Sequence, residues 1–154
     1  MKDKSLTLNS NSSTFEDKME PYEPYGIVVV EENYLVRRAI KNIIQRNPSL
    51  HVVAETDNSL ELPGLLCRIR ADMVILDIAM HHPADIEVLS NVRKLFPAVK
   101  VVVLTIDYSR LLYCHATAIG VQGYLMKNDP DSELLKAISI AREGRRYISL
   151  QMTP

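Results

Sequence analysis

Four short apolar runs in this chain each end on a polar side chain suited to phosphate chemistry. Ile27-Val28-Val29-Val30 runs into Glu31-Glu32, and Met73-Val74-Ile75-Leu76 into Asp77. Val101-Val102-Val103-Leu104 runs into Thr105, and Tyr124-Leu125-Met126 into Lys127. Three acids, a hydroxyl and an ammonium are the parts of a metal-assisted phosphoryl site. They supply a carboxylate nucleophile, oxygen ligands for a hard cation, and donors for phosphate oxygens. Singly, each has a plainer use. Asp77 equally suits a turn cap, the glutamates a solvated surface, Thr105 and Lys127 a structural or exposed role, and Tyr124 core or rim. Their common place at the ends of strand-like runs is what argues for chemistry.

That place matters because ligands of open parallel sheets bind at the carboxyl ends of the strands. Strands are expected over 25–30, 50–55, 73–77, 99–104 and 123–126, from short and mostly β-branched runs. Helices are expected over 33–46, 59–70, 84–95, 108–119 and 130–143. Their apolar residues recur at helical spacing, as in Val36, Ile40, Ile43 and Ile44. Strict alternation of strand and helix predicts a doubly wound parallel α/β sheet with helices on both faces. Asp129-Pro130 reads as an N-cap followed by an N1 proline, and Gly120 and Gly144 as helix C-termini. Pro63-Gly64 interrupts the second helix, so that helix starts late or has a distorted first turn.

Composition narrows the function classes. At 154 residues, 47% hydrophobic and 24% charged, the chain suits one globular domain with an extension. A net charge of −1 offers no general attraction to nucleic acid or anionic membrane. Cys67 and Cys114 lie in no metal-like spacing and read as packed thiols. No apolar run is long enough to span a membrane, and no signal-peptide core is visible, so a cytoplasmic protein is expected. Residues 1–24 are polar, aperiodic and proline-punctuated, and read as a flexible tail.

From Tyr25 to Tyr147 the sequence resembles a response-regulator receiver domain of two-component signalling. The matching stretches are Ile27–Asn33, Met73–Met80, Val103-Leu104-Thr105 and Gly123-Tyr124-Leu125-Met126-Lys127. Lys127-Asn128-Asp129 replaces the Lys-Pro of many receivers. Together with Gly144-Arg145-Arg146-Tyr147-Ile148-Ser149, it is similar to the NarL/FixJ subgroup, whose receiver precedes a LuxR-type DNA-binding domain. The resemblance implies a five-stranded flavodoxin-like or CheY-like (βα)5 fold of strand order 2-1-3-4-5. The receiver would cover 25–144, and 145–154 would begin a linker toward an output domain outside this chain.

It further implies that Asp77 is the phosphoacceptor, assisted by Thr105 and Lys127. Mg2+ would be held by Glu31, Glu32, Asp77 and the Ala79 backbone carbonyl. Thr105 and Tyr124 would relay the change to the surface of the fourth helix, fifth strand and fifth helix. The implied partners are a sensor histidine kinase and a second copy on activation. Neither a membrane nor, for this chain itself, nucleic acid is expected. The chain is read as a signalling domain, not an enzyme with an external substrate. A phosphorylation-independent interaction module is the alternative.

The sequence departs from the family pattern at several positions. Glu31-Glu32 lacks the usual aspartate, and each glutamate is one methylene longer than the close octahedral preference of Mg2+ favours. Met80 is followed by His81-His82-Pro83, and Asp85 takes the place of a glycine. That exchange adds charge to an acidic pocket and restricts any positive-φ turn, unless Asp85 simply caps the third helix. Ile106 is bulkier than the residue usual after the threonine. His81-His82 reads as a solvated loop. Ala79 lacks the proton-transfer group that haloacid-dehalogenase phosphatases place two residues beyond their nucleophile, and no nucleotide-binding glycine motif occurs.

Overall fold

The computed structural model describes residues 23–153. Residues 1–22 of the expected tail, and Pro154, lie outside them. The elements are β1 (Tyr25–Val30), α1 (Tyr34–Ile44), β2 (Leu50–Thr56), α2 (Leu62–Arg68), β3 (Met73–Asp77) and α3 (Pro83–Leu95). β4 (Lys100–Thr105), α4 (Arg110–Ile119), β5 (Gly123–Met126), α5 (Asp131–Arg142) and β6 (Tyr147–Ile148) follow. All pair in parallel in one sheet of order β2-β1-β3-β4-β5-β6.

The inner strands β1, β3, β4 and β5 are apolar on both faces because both faces are covered. Their alternate residues separate into two cores. Ile27, Val29, Ile75, Val102, Leu104 and Leu125 pack with Ile40 and Ile44 of α1 and with Leu134 and Ile138 of α5. Val28, Val30, Val74, Leu76, Val103 and Tyr124 pack with Leu62 and Leu66 of α2, with Val88, Leu89 and Val92 of α3, and with Leu112 of α4. The period of two in the strands thus becomes a three-layer sandwich whose strand ends share one edge. Among the described residues no helix is long and apolar enough to cross a membrane.

Several details differ from the sequence expectation. The sheet has six strands rather than five. β6 extends it because Tyr147 N–H donates to the Gln122 carbonyl and Ser149 N–H to the Tyr124 carbonyl, at 2.9 and 2.8 Å. The segment read as the start of a linker supplies this strand and then folds back. Met152, 3% exposed, enters the α3–α4 core, and Arg110 holds its carbonyl at 2.7 Å.

The second helix divides into a 3-10 turn at Ser59–Glu61 and a late α2, with Pro63 in the first turn, where no intrahelical hydrogen bond is lost. Asp129 does not cap α5, which begins at Asp131. Its carboxylate accepts instead from Met126 N–H, Ser149 Oγ and Gln151 Nε2. Both cysteines are exposed rather than packed. α4 buries Leu112 and Ala116, and Cys114 lies about 200° around the helix from Leu112. Gly120 and Gly144 do end their helices, at φ 102° and 79°.

If residues 147–153 are an integral part of the packed domain, truncating their buried anchor must register in global stability. Met152→Ala is expected to cost about 2–3 kcal/mol in urea unfolding of the whole chain, whereas a loosely attached segment would show almost no change.

Candidate functional site

β1, β3, β4 and β5 deliver Glu31, Glu32, Asp77, Thr105 and Lys127 to the same sheet edge, because each residue is the last of its strand or lies just beyond it. Lys127 Nζ lies 2.7 Å from Glu31 Oε2 and 3.1 Å from Asp77 Oδ1. Three of the expected site residues therefore meet in one ion-pair cluster. Glu31 is 1% exposed, and its other oxygen accepts from Asn33 N–H at 3.0 Å. Burial raises the Glu31 carboxyl above its ordinary range, with the nearby Asp77 charge adding to the rise; the Lys127 ammonium offsets only part of it.

Glu32, by contrast, is exposed. With Asp77, Ala79 and Asp85 it lines a cleft of about 300 Å³ next to the lysine. Asp57, Asn58, Ser59 and Leu60, which follow β2, form the other wall. These residues went unassigned in the sequence, although β2 ends at the same edge as the other strands. Asp107 is a second omission. Its carboxylate accepts from Met80 N–H at 3.0 Å and from Ser109 N–H at 2.8 Å, tying the loop after β3 to the start of α4.

Carboxylates predominate among the polar groups lining the cleft, with Asn58, Ser59 and His82 beside them, and carboxylate oxygens suit a hard divalent cation. Among the described residues no three His, Cys, Asp or Glu side chains close into a preformed metal centre. Mg2+ does not require one, since it commonly takes one or two carboxylates and keeps several waters. Glu32 and Asp77 provide such a pair. The Ala79 carbonyl accepts from His82 N–H at 3.1 Å and retains a second lone pair. Glu31, expected among the ligands, is engaged with Lys127. The residues present fit a largely hydrated Mg2+. His81 and His82 are exposed, their rings 4.2 Å apart.

The loop from Ala79 to Asp85 uses no positive φ, so the glycine expected there is not needed. Asp85 does not cap α3. Its Oδ2 accepts from Ala79 N–H at 3.2 Å and its Oδ1 from Ser59 Oγ at 2.9 Å. Ile106 points outward, 69% exposed.

Thr105 is fully buried. Its hydroxyl donates to the Ile78 carbonyl at 2.6 Å and accepts from Asp107 N–H at 3.0 Å. The Tyr124 ring is also buried, edge-on to Tyr113 of α4 with centroids 5.2 Å apart. Among the described residues its hydroxyl has no hydrogen-bond partner. Burial pushes the phenol pKa up, with Asp107 adding to the rise. Inward placement of Tyr124 therefore coexists here with a Thr105 hydroxyl turned to Ile78.

Comparison with known proteins places this geometry. Residues 27–139 match the family model described as the response regulator receiver domain. The chain is 28% identical over 127 residues to the transcriptional regulatory protein DegU of Brevibacillus brevis, covering 82% of this chain and 54% of that protein. It is 27% identical over 129 residues to the oxygen regulatory protein NreC of Staphylococcus epidermidis, covering 82% and 59%. The chain thus spans little more than half the length of these curated relatives. A solved LuxR-family two-component response regulator from Aurantimonas sp. superposes with a TM-score of 0.78 at 27% identity, covering 84% of this chain and 93% of that one.

Two outcomes follow from the buried groups. The raised Glu31 pKa means that the folded protein keeps this proton to higher pH than the unfolded chain. Relative to Glu31→Gln, the wild type is therefore expected to lose stability as pH rises from about 4.5 through the raised value, then to run parallel. Denaturant unfolding of both proteins from pH 4 to 8 checks the slope. Tyr124→Phe removes a buried hydroxyl without a partner and is expected to raise stability by about 1 kcal/mol in the same assay.

Proposed function

Because the chain belongs to the response regulator receiver domain family, we propose that Asp77 accepts a phosphoryl group from the phosphohistidine of a sensor kinase. One observation carries the reading: Lys127 bridges the Asp77 carboxylate and the buried Glu31 beside a cleft walled by further acids. An Asp77 oxygen attacks phosphorus, the phosphorus–nitrogen bond to imidazole breaks, and the nitrogen keeps the electron pair. Most of the catalytic work is positioning and charge neutralisation. Glu31 holds Lys127 in place, so the ammonium can pass from Asp77 Oδ1 to a phosphoryl oxygen without reorganising. Mg2+, bound by Glu32, Asp77 and the Ala79 carbonyl, would supply the remaining positive charge.

Output begins at Thr105. To donate to a phosphoryl oxygen, its hydroxyl must leave the Ile78 carbonyl, and Asp107 N–H follows because it donates to that same hydroxyl. Asp107 also holds Met80 and Ser109, the N-cap of α4, so α4 is moved with it. Tyr124 fills the space beneath α4 against Tyr113. The α4–β5–α5 surface then changes its fit to a partner, as a second copy of the chain or a following domain would require. Receivers of this family are signalling domains, and the chemistry proposed stays on the chain itself. Cytoplasmic placement and transcriptional output, through DNA contacts made outside residues 23–153, complete the proposal.

A specific observation favours a second reading. The Lys127 ammonium and the Thr105 hydroxyl are already engaged by the protein's own acceptors, as a phosphorylation-independent interaction module would allow. Incubation with phosphodonor and Mg2+ separates the two. The wild type is expected to gain the mass of one phosphoryl group, lost with Asp77→Asn and reduced at least tenfold in rate with Lys127→Ala. No gain on the wild type, together with no spectral response to Mg2+ and beryllofluoride, selects the interaction module.

A further inference from the structure

Three donors lie beside Asp77 or the two residues that follow it, and each already serves an acceptor of the protein. Lys127 Nζ serves Glu31 and Asp77, the Thr105 hydroxyl serves the Ile78 carbonyl, and Ala79 N–H serves Asp85 Oδ2 at 3.2 Å. The last case differs in kind. Asp85 is itself an anion, placed on a backbone donor two residues beyond the nucleophile, where an oxygen of an incoming phosphoryl group would seek the same hydrogen bond. Ser59 Oγ, at 2.9 Å from Oδ1, anchors it from the opposite wall. Asp85 also shares the cleft with Glu31, Glu32, Asp57 and Asp77, so each further negative charge entering it meets repulsion from close range.

We propose that Asp85 is a specificity-determining residue that screens phosphodonors by charge, its carboxylate competing with phosphoryl oxygens for Ala79 N–H. The inference rests on Asp77 being the phosphoacceptor. Free dianionic donors react slowly because they face both the occupied hydrogen bond and the charge that occupies it. A donor of lower charge is penalised less. Asp85 also lies in the first turn of α3, where a negative charge suits the helix dipole. Loss of that contact changes stability but gives no preference among donors.

Donor charge therefore provides the test. Two donors are used with the full chain and Mg2+: acetyl phosphate, a dianion at neutral pH, and phosphoramidate, net monoanionic. With the first, an Asp77 oxygen bonds to phosphorus and acetate departs with the electron pair of the broken phosphorus–oxygen bond. With the second, ammonia departs with that of the phosphorus–nitrogen bond. Asp85→Asn can keep both hydrogen bonds, accepting from Ala79 N–H and donating to Ser59 Oγ, while removing the charge. Asp85→Gly removes both the bonds and the charge.

The rate with acetyl phosphate is expected to rise about tenfold in either variant, and that with phosphoramidate about threefold or less. Reaction of the variants alone, with the wild type inert, also supports the proposal. A wild type that reacts while both variants keep its rates, or gain equally with both donors, overturns the role of Asp85 and leaves Asp77 standing. No reaction in any of the proteins overturns this inference, and together with no spectral response to Mg2+ and beryllofluoride it removes the phosphoacceptor reading of Asp77 as well.

Discussion

The Lys127 ammonium, placed between Glu31 and Asp77, is the contact on which the site depends. A carboxylate as buried as Glu31 is costly without a cation, and burial holds its pKa above the ordinary range although Lys127 Nζ stands 2.7 Å away. Strand ends bring the acids together before any ligand arrives, so the edge is electrostatically unfinished. A divalent cation would finish it, and a phosphoryl group on Asp77 would demand that the lysine be shared differently. Under the proposed function, that imbalance is what would make the cleft receptive to a metal and responsive to modification.

Local change has a short path outward. Thr105, Asp107, Met80 and Ser109 form a continuous set of hydrogen bonds joining the β3 and β4 loops to α4. The Tyr108 hydroxyl, one residue further, bonds to Asn128 after β5 and to Gln151 beyond β6. Gln151 in turn bonds to Asp129, and Arg110 holds the Met152 carbonyl. The segment leaving the domain is thus clamped to the loop that follows the threonine. Displacement of residues 105–109 would strain contacts with residues 149–152 without any intervening element.

Much of this was legible because it follows from periodicity. β-branched runs and helical spacing located five strands and the helices, and the polar residue closing each run identified the sheet edge. What escaped has particular causes. β6 has only two residues and exists through pairing with β5, not through a pattern of its own. Asp129 looked like a cap because a proline follows it, yet the N–H of Met126 and the side chains of Ser149 and Gln151 claim its carboxylate. The cysteines lay among apolar residues, but α2 and α4 bury narrow faces that leave both outside. Asp57 and Ser59 were passed over because β2 ends in Glu55-Thr56, without the apolar run that marked its neighbours.

The Glu31-Glu32 pair shows what the family pattern conceals when read as two equivalent acids. Consecutive residues leaving a strand face opposite ways, so identical side chains meet different surroundings. Glu31 turns into the protein, where its carboxylate reaches Lys127 and takes the Asn33 N–H at the start of α1. Glu32 turns to the cleft and stays in water, with its full length free to approach a cation beside Asp77. The additional methylene therefore has two separate consequences. In Glu31 it gives the buried carboxylate reach toward the lysine. In Glu32 it would give a Mg2+ ligand looser placement, so under the proposed function a reduction in Mg2+ affinity would belong to Glu32, while Glu31 is the acid paired with Lys127.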